Sequence, residues 1–383
     1  MRPRLVVAAA ASAALLAAIG AAAETSTLKV VASHLNNPRK LFLGQNGALY
    51  VVEAGVGGRD KCLGSGANTT CVGLTGSIAK IVGGTPHRVV TRLWSGARRN
   101  GQQAQGPAAV LVRRGTYFVL LQNGTIDPRG VNALGPDGAT AGDLISTPAG
   151  KAAPAVIFNF AAFEAANNPD RGRGPGAKLG SPPIDSDPYA LASYRGGFAV
   201  ADAAGNDLLW IRSNGKVSVL AVFPTQTVRL SRADGKKIGV PPTMTSIAVQ
   251  SVPSSVAVGP DGALYVGELT GVPFKPGAAR VWRVVPGKRP TVYATGFTNI
   301  SDLAFDGRDL LVLEISTRGL LAGRSPGALI RVTPAGKRRV LASKGLLYPT
   351  GIAVGHGTIY ISNNGLFPAT GSEPQGEIVS VTG

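Results

Sequence analysis

The sequence has few of the residues that most often carry catalysis or bind transition metals: its 383 residues contain three histidines and two cysteines. Three scattered histidines give little support for a catalytic triad or for acid–base chemistry by imidazole. Two thiols with no histidine beside them argue against a zinc site, and the close pair Cys62 and Cys71 instead predicts a local disulfide. No Gly-Lys pair is followed by Ser or Thr, so a phosphate-binding P-loop is absent.

Acidic residues are also scarce. The chain has 21 Asp and Glu against 39 Lys and Arg, a formal net charge of +18. This charge predicts attraction to polyanions, among them an anionic cell-wall polymer. The basic residues are scattered over turns without interleaved aromatic residues, so nucleic acid is not expected as a partner.

Only one long apolar run occurs. Residues 1–23 carry Arg2 and Arg4, then an alanine-rich segment that ends in small residues, which is the layout of a cleavable signal peptide. The alternative is an uncleaved membrane anchor. No later stretch is long enough to span a bilayer. We therefore expect a secreted monomer, periplasmic or associated with the cell wall, that consists of one domain over residues 24–383.

The rest of the chain is rich in turn residues, with 52 Gly and 27 Pro, and it repeats one pattern six times. Each copy has an apolar strand, a Gly-, Asp- or Asn-containing turn, a second apolar strand and then a polar residue. The copies begin near residues 38, 107, 188, 253, 300 and 349, and two further strands follow each of them. Four strands in each of six units predict an all-β, six-bladed β-propeller; a β-sandwich or a two-domain all-β protein is the alternative.

The two ends of the chain complement each other. The last unit stops after its third strand, and residues 28–33 resemble the fourth strand at residues 339–343. The N-terminal strand is therefore predicted to close the last blade and to remove an open sheet edge.

The connections on the two faces of such a propeller differ in length. Turns after first and third strands are short, whereas most insertions follow second and fourth strands. We call the face that carries these insertions the long-loop face, and we expect binding residues there. The insertions are the segments 62–71, 124–142, 160–187, 225–252 and 270–278.

The polar residue that ends each second strand predicts a ring at this face, one member per blade: Glu53, Gln122, Asp202, Glu268, Glu314 and Asn363. Polar residues that open the first strands stand beside it: Asn37, Asp185, Asp187, Asn299 and Asp302. Three interpretations stay open. The ring can accept backbone hydrogen bonds, hold a hard cation such as Ca²⁺ or Mg²⁺, or bind a polar or cationic organic ligand.

Several motifs resemble the ScyD/ScyE family of exported proteins, which is named for components associated with scytonemin pigment production. They are VPSSVAVGPDGALYVGELTGVPF at 252–274, YATGFTNISDLAF at 293–305, DSDPY at 185–189 and LYPTG at 347–351. The resemblance covers nearly the whole chain after residue 23. It implies a secreted propeller of undefined biochemical role.

More distantly, the pattern is similar to NHL-repeat and gluconolactonase-like propellers, some of which use a central Ca²⁺ to hydrolyse lactones. The slots that match their metal-ligand positions hold other residues here: Arg39, Ala108, Tyr189, Ser254 and Thr350. The leading hypothesis is thus a non-catalytic propeller that binds a small ligand or a partner on its long-loop face. The alternative is a Ca²⁺-dependent lactonase- or esterase-like hydrolase centred on Glu53, Asp202, Glu268 and Glu314.

Overall fold

The described residues form six antiparallel blade sheets, one for each copy of the sequence repeat, and a separate two-stranded sheet. The structure is a computed structural model, and it describes residues 27–59, 61–66, 69–123, 134–148, 154–172, 185–366 and 374–382. The predicted signal peptide lies outside these ranges. Within them, no helix is both long enough and apolar enough to cross a membrane.

Each of the six sheets is one blade, and the strands follow one another along the chain except at the closure. The first strand of the chain, β1 (Lys29–Leu35), belongs to blade 6. Blade 1 contains β2 (Pro38–Leu43), β3 (Leu49–Glu53), a short added strand β4 (Lys61–Leu63), β5 (Thr70–Val82) and β6 (Thr85–Arg98). Blade 2 contains β7 (Pro107–Arg113), β8 (Thr116–Leu121), β9 (Asp143–Pro148) and β10 (Ala155–Asn159).

The other blades repeat this order. Blade 3 contains β11 (Pro188–Tyr194), β12 (Gly197–Asp202), β13 (Asp207–Ile211) and β14 (Val217–Val222). A hairpin of β15 (Gln226–Arg229) and β16 (Ser246–Val249) is inserted before blade 4, which has β17 (Pro253–Val258), β18 (Leu264–Glu268), β19 (Ala279–Val284) and β20 (Thr291–Phe297). Blade 5 contains β21 (Ile300–Asp306), β22 (Asp309–Glu314), β23 (Ala328–Val332) and β24 (Arg338–Ala342). Blade 6 contains β25 (Gly351–Gly355), β26 (Thr358–Asn363) and β27 (Gly376–Thr382), followed by β1.

The repeated register confirms that the six sequence copies are equivalent. The residue that opens the first strand pairs with the polar residue that ends the second strand in blades 1, 3, 4 and 5: Pro38 with Glu53, Pro188 with Asp202, Pro253 with Glu268, and Ile300 with Glu314. The six first strands contact one another in a closed ring, in the order β2, β7, β11, β17, β21 and β25. This ring surrounds the propeller axis.

The N-terminal strand closes the last blade, as the sequence predicts. Strand β1 runs antiparallel to β27, with Lys29 opposite Ser380 and Leu35 opposite Gly376. The outermost strand of blade 6 therefore comes from the opposite end of the chain, and it fills the edge that β27 would otherwise expose.

The hydrophobic core is divided among the six interfaces between neighbouring blades. One cluster joins Val52 and Ile78 of blade 1 to Val110 and Val119 of blade 2. Corresponding clusters lie between blades 2 and 3, 3 and 4, 4 and 5, 5 and 6, and 6 and 1. Successive side chains of a strand point to opposite faces of the blade, so Val119 joins the cluster shared with blade 1 and Leu120 joins the cluster shared with blade 3.

Close packing between blades also requires glycine at the start of some third strands. A Cβ on Gly376 would lie 2.3 Å from Cδ of Pro38, and a Cβ on Gly327 would lie 2.5 Å from Cδ of Pro349. Each glycine thus faces the proline that leads into the next blade. This contact gives a structural reason for the prolines at the starts of the copies.

The insertions add local structure outside the blades. Cys62 and Cys71 lie opposite each other on β4 and β5 and form the predicted disulfide. Two α-helices lie in connections between blades, α1 (Phe160–Asn167) after blade 2 and α2 (Arg232–Ile238) within the β15–β16 hairpin. Two 3-10 turns, Pro136–Gly138 and Leu320–Ala322, lie in connections between second and third strands.

The closure can be tested at Leu35, which is fully buried between blades 6 and 1. Leu35→Ala should lower the free energy of unfolding by about 2–5 kcal/mol, because it removes apolar contacts and leaves a cavity. Val30 lies on the same strand with 55% of its side chain exposed, so Val30→Ala should change it by less than about 0.5 kcal/mol. Urea unfolding of both variants measures the difference, and equal effects would show that β1 does not stabilise the ring.

Candidate functional site

The six predicted ring residues are all buried, and most of them bind backbone or side-chain donors of their own blade. Glu53 accepts hydrogen bonds from the backbone N–H of Asn36 at 2.8 Å and from the hydroxyl of Ser77 at 2.7 Å. The guanidinium of Arg88 binds both of its oxygens at 2.9 Å. This bidentate, charge-assisted contact completes the shell of a carboxylate that has no exposed surface.

Glu268 of blade 4 is held in the same way. Its carboxylate accepts from the hydroxyl of Ser251 at 2.8 Å and from the indole N–H of Trp282 at 2.7 Å. Nε and Nη2 of Arg280 donate to the two oxygens, both at 2.8 Å. A carboxylate–arginine pair therefore occurs in two blades, with Arg88 on the outermost strand of blade 1 and Arg280 on the third strand of blade 4.

The other members accept mainly from backbone groups. Asp202 accepts from the N–H groups of Asp187, Ala204 and Gly205 and from the hydroxyl of Ser186. Glu314 accepts from the N–H of Thr298 at 2.7 Å, and Asn363 accepts from the N–H of Leu347 at 2.7 Å. Gln122 is buried, and its side-chain oxygen has no hydrogen-bond partner.

These contacts share one geometry. The residue that ends the second strand binds the chain two residues before the first strand begins in blades 1, 3, 4 and 5, and four residues before it in blade 6. It thereby fixes the entry of the chain into its blade and satisfies polar groups that would otherwise be buried unpaired. In the described part of the chain, no three His, Cys, Asp or Glu side chains are grouped so that they could hold a metal ion. A metal or a ligand on this ring stays a prediction.

The polar residues that open the first strands mainly connect neighbouring elements. The side-chain amide of Asn37 donates to the carbonyls of Gly55 and Gly101, and that of Asn299 donates to the carbonyl of Leu269. Asp187 accepts from the N–H of Asn123. The structure thus uses these predicted site residues to join elements that lie far apart in the sequence.

A lysine fills the centre of the propeller. Lys40 lies on β2 and is 6% exposed, and its ammonium donates to Oδ1 of Asp302 at 2.7 Å and to the carbonyls of Ser254 and Ser301. Ser254 belongs to blade 4, and Ser301 and Asp302 belong to blade 5. Both blades lie across the axis from blade 1. Burial lowers the pKa of Lys40 and raises that of Asp302, and each charge offsets the shift of the other.

Two more blades join the same network. The Lys40 ammonium lies 5.4 Å from the ring centroid of Tyr189 in blade 3, which is a cation–π distance. The second oxygen of Asp302 accepts from the N–H of Ile352 in blade 6 at 2.8 Å. A protein cation therefore occupies the axis, in the region where gluconolactonase-like propellers are expected to hold Ca²⁺. Sequence reasoning missed Lys40 because its partners are 214 and more residues away.

The neighbouring Arg39 seals the junction between the first and last blades. Its guanidinium is buried and donates to the carbonyls of Gly365, after β26, and Ala104, before β7. Burial lowers the pKa of Arg39, and the electrostatic effects of Tyr189 and Asp187 partly offset this shift.

An acidic corner lies where helix α1 packs against blade 3; we define it as Glu164, Asp170, Asp202 and Asp207. A Cβ on Gly205 would lie 3.4 Å from Oε2 of Glu164 and 3.3 Å from Cγ of Asp202, so these two carboxyls flank one glycine. Burial first, and then the charges of Asp202, Asp170 and Asp185, raise the pKa of Glu164 to about 8. Burial and the charges of Asp202, Glu164 and Asp170 raise the pKa of Asp207 well above its usual range.

A pocket of about 500 Å³ opens beside this corner on the long-loop face. Its walls come from the segment after α1, the turn between β12 and β13, and the exit of β14. Asp170 and Asn206 supply polar groups, whereas Phe223 and Pro224 supply an apolar wall. Its volume lies within the range of small-molecule sites.

The opposite face carries the short turns after first and third strands, and we call it the short-turn face. It also has a cavity, of about 1100 Å³, which sequence reasoning missed. The turns of blades 1, 2 and 3 surround it, and its lining includes Phe42, Tyr50, Tyr117 and Arg113. The guanidinium of Arg113 is already bound, at 2.7 Å from the hydroxyl of Ser193 and 2.9 Å from the carbonyl of Gly197. This cavity follows from the way three short turns diverge, for which the sequence has no local signal.

The fold and the closed ring of first strands define a six-bladed β-propeller. No family model and no curated protein matches the sequence. Solved structures share the fold. A putative glucose dehydrogenase from Thermus thermophilus is 14% identical, with 93% of this chain and 99% of that chain covered and a TM-score of 0.53.

Two further structures match at a TM-score of 0.50. The PQQ-bound aldose sugar dehydrogenase from Streptomyces coelicolor is 12% identical, over 94% of this chain and 99% of that chain. A putative gluconolactonase is 9% identical, over 94% of this chain and 92% of that chain. The neighbours are NHL- and gluconolactonase-like propellers, and at such identities the likeness shows the fold alone.

The central ion pair predicts a large effect of one substitution. Lys40→Met should lower the free energy of unfolding by about 3–5 kcal/mol, because it leaves the carboxylate of Asp302 buried without its partner. Adding Asp302→Asn should recover part of that loss. Lys275→Met, which removes a partly exposed pair with Asp234, should cost less than about 1 kcal/mol. Urea unfolding measures all three, and a Lys40→Met loss as small as the control would contradict the central role.

The raised carboxyl pKa values predict how stability depends on pH. Burial raises the pKa of Asp143 and Glu314 to about 7, that of Asp187 to about 6 and that of Glu164 to about 8. The folded protein therefore keeps protons that the unfolded chain releases near pH 4. The free energy of unfolding should fall as pH rises from about 5 to about 8. Urea unfolding at several pH values across this range measures the dependence. Glu164→Gln should make the free energy of unfolding depend less steeply on pH. A free energy of unfolding that rises with pH would contradict the raised carboxyl pKa values.

Proposed function

We propose that this protein is an exported propeller of the ScyD/ScyE type that binds a small ligand or a partner on its long-loop face. The single observation that carries the proposal is the pocket of about 500 Å³ beside Asp170 and Asn206. The disulfide between Cys62 and Cys71 supports export, because disulfides persist in oxidising compartments.

The pocket lies on connections added to the repeat, which is where a rigid scaffold commonly carries specificity. The blades supply fixed points on both sides. Asn206 binds Asp170 through its side-chain amide at 2.9 Å and accepts from the N–H of Val252 at 3.2 Å. These contacts join the segment after α1 to blades 3 and 4. The walls are therefore held in place without a ligand, and a preorganised pocket loses less entropy on binding.

We propose binding rather than hydrolysis because the carboxylates suggested for a hydrolase already have partners. Glu53 and Glu268 hold arginines, and Asp202 accepts four hydrogen bonds. A catalytic metal at these positions would have to displace those donors. The ammonium of Lys40 already occupies the axis.

A thermal-shift screen of a small-molecule library tests the proposal. Thr225 is exposed at the pocket wall, so Thr225→Trp should block the pocket and abolish the stabilisation that the hits give to the wild type. A ligand present at 100 times its Kd stabilises the folded state by about 2.7 kcal/mol, which such a screen detects.

The matched control is Gln45→Trp, an exposed position at the cavity of the short-turn face. It should leave the hits unchanged. Hits that are lost in Gln45→Trp and kept in Thr225→Trp would place binding on the opposite face and overturn the proposal. A screen without any stabilising compound would overturn it as well.

A further inference from the structure

Blade 3 places two acidic residues opposite each other at a position where blades 1 and 6 have complementary partners. In blade 1, the residue opposite ring member Glu53 is Ser77, which donates to it. In blade 6, the residue opposite Asn363 is Glu377, which accepts from its amide at 2.8 Å. These cross-strand pairs are complementary, as expected for side chains that face each other on one side of a sheet.

In blade 3 the residue opposite Asp202 is another aspartate, Asp207. Like charges directly opposite each other destabilise a sheet. Asp207 is 1% exposed, and neither of its carboxyl oxygens has a hydrogen-bond partner. A buried carboxyl without partners is unfavourable, and more so when it is charged. The carboxyl of Asp207 is therefore unfavourable for the fold at a position where a serine or asparagine would be tolerated without this penalty.

The carboxyl of Asp207 points into the acidic corner. The charges that act on it most strongly are those of Asp202, Glu164 and Asp170, in that order. None of these four carboxyls forms an ion pair with a Lys or Arg within the described residues. In a chain with a net charge of +18, four neighbouring acidic groups without a basic partner are an unusual local composition.

The pocket is in contact with this corner. Asp170 lies in its wall, and so do Asn206, which precedes Asp207 in the chain, and Val222, which pairs with Asp207 across the sheet. Arg171 also lines the pocket, but its side chain is exposed. The volume of about 500 Å³ is far larger than a metal ion needs, and Phe223 and Pro224 add an apolar wall.

We infer that the pocket binds an organic cation, an amine or guanidine joined to an apolar body, with its charge held by the acidic corner. The ammonium donates to the carboxylate of Asp170 and lies in the field of Asp207, Asp202 and Glu164, while the apolar part packs on Phe223 and Pro224. The bound cation takes the place of the basic partner that Asp202 and Asp207 do not have within the described residues. This inference rests on the proposed function and specifies the class of ligand.

Burial and the neighbouring carboxylates raise the pKa of Glu164 to about 8 and that of Asp207 well above its usual range, so binding of a cation favours the release of protons from the corner. The affinity for the cation therefore rises with pH. A neutral ligand in the same pocket shows no such dependence.

Three compounds that share one phenol ring test the inference: tyramine carries an amine, tyrosol is neutral, and 4-hydroxyphenylacetate is an anion. By isothermal titration calorimetry at pH 7.5, tyramine should bind at least tenfold more tightly than tyrosol, a difference of about 1.4 kcal/mol. The anion should show no heat of binding. Tyramine should also bind more weakly at pH 6 than at pH 8.

Asp207→Asn should weaken tyramine binding at least tenfold without lowering the melting temperature, because the carboxyl of Asp207 makes no hydrogen bond that the amide would lose. Asp170→Asn, at a partly exposed wall position, should weaken binding similarly. The control Asp309→Asn removes a partly exposed charge elsewhere and should leave the affinity unchanged.

Equal affinity for tyramine and tyrosol would overturn the inference. So would a stoichiometric Ca²⁺ site that Asp207→Asn abolishes, because the corner would then serve a metal. A strong loss of stability in Asp207→Asn would assign it a structural role and also overturn it. If library hits are lost in Thr225→Trp but the three phenols show no preference by charge, the proposed function stands and this inference falls. If the preference for tyramine persists in Thr225→Trp, both fail.

Discussion

The ammonium of Lys40 is the interaction on which the closed ring depends most directly. It lies on blade 1 and reaches Ser254 of blade 4 and Asp302 of blade 5 across the axis. Removing a charged group from water costs several kcal/mol, and only a complete shell of acceptors offsets that cost. Those acceptors lie on blades 4 and 5, so the ammonium of blade 1 reaches them only when the blades are arranged around one axis. The axial network and the closure by β1 both hold the first blade in this arrangement.

The same demand for partners explains the polar residues at the mouth of the long-loop face. A buried second-strand end places one side chain close to the chain entering the blade, and that entry has backbone N–H groups to satisfy. Glu53 and Glu314, in different blades, meet this demand in the same way. The repeated acid thus serves the fold in these blades, and the proposed ligand site lies on the connections between blades. The pocket beside Asp170 is built from such connections.

The sequence predicts what repeats and what is local. The six blades follow from a pattern present six times, and the disulfide follows from two nearby cysteines. Closure of the last blade by β1 follows from complementary ends. The axial role of Lys40 could not be predicted because it joins residues more than 200 positions apart and no repeated position marks it. The acidic corner was missed for a related reason: Glu164 lies on a helix in an insertion, and its distance from Asp207 depends on how that helix packs.

Blade 3 differs from blades 1 and 6 at the position opposite the ring member. Complementary cross-strand partners, such as Ser77 for Glu53, lower the energy of the fold and need no other explanation. Asp207 opposite Asp202 raises it, and a carboxyl with no partner gives the folded protein nothing in return. Natural sequences violate local consistency mainly where a site needs it. The opposed aspartates adjoin a pocket on the more elaborated face, so a bound cation is the simplest physical reason for a pair that the fold alone disfavours.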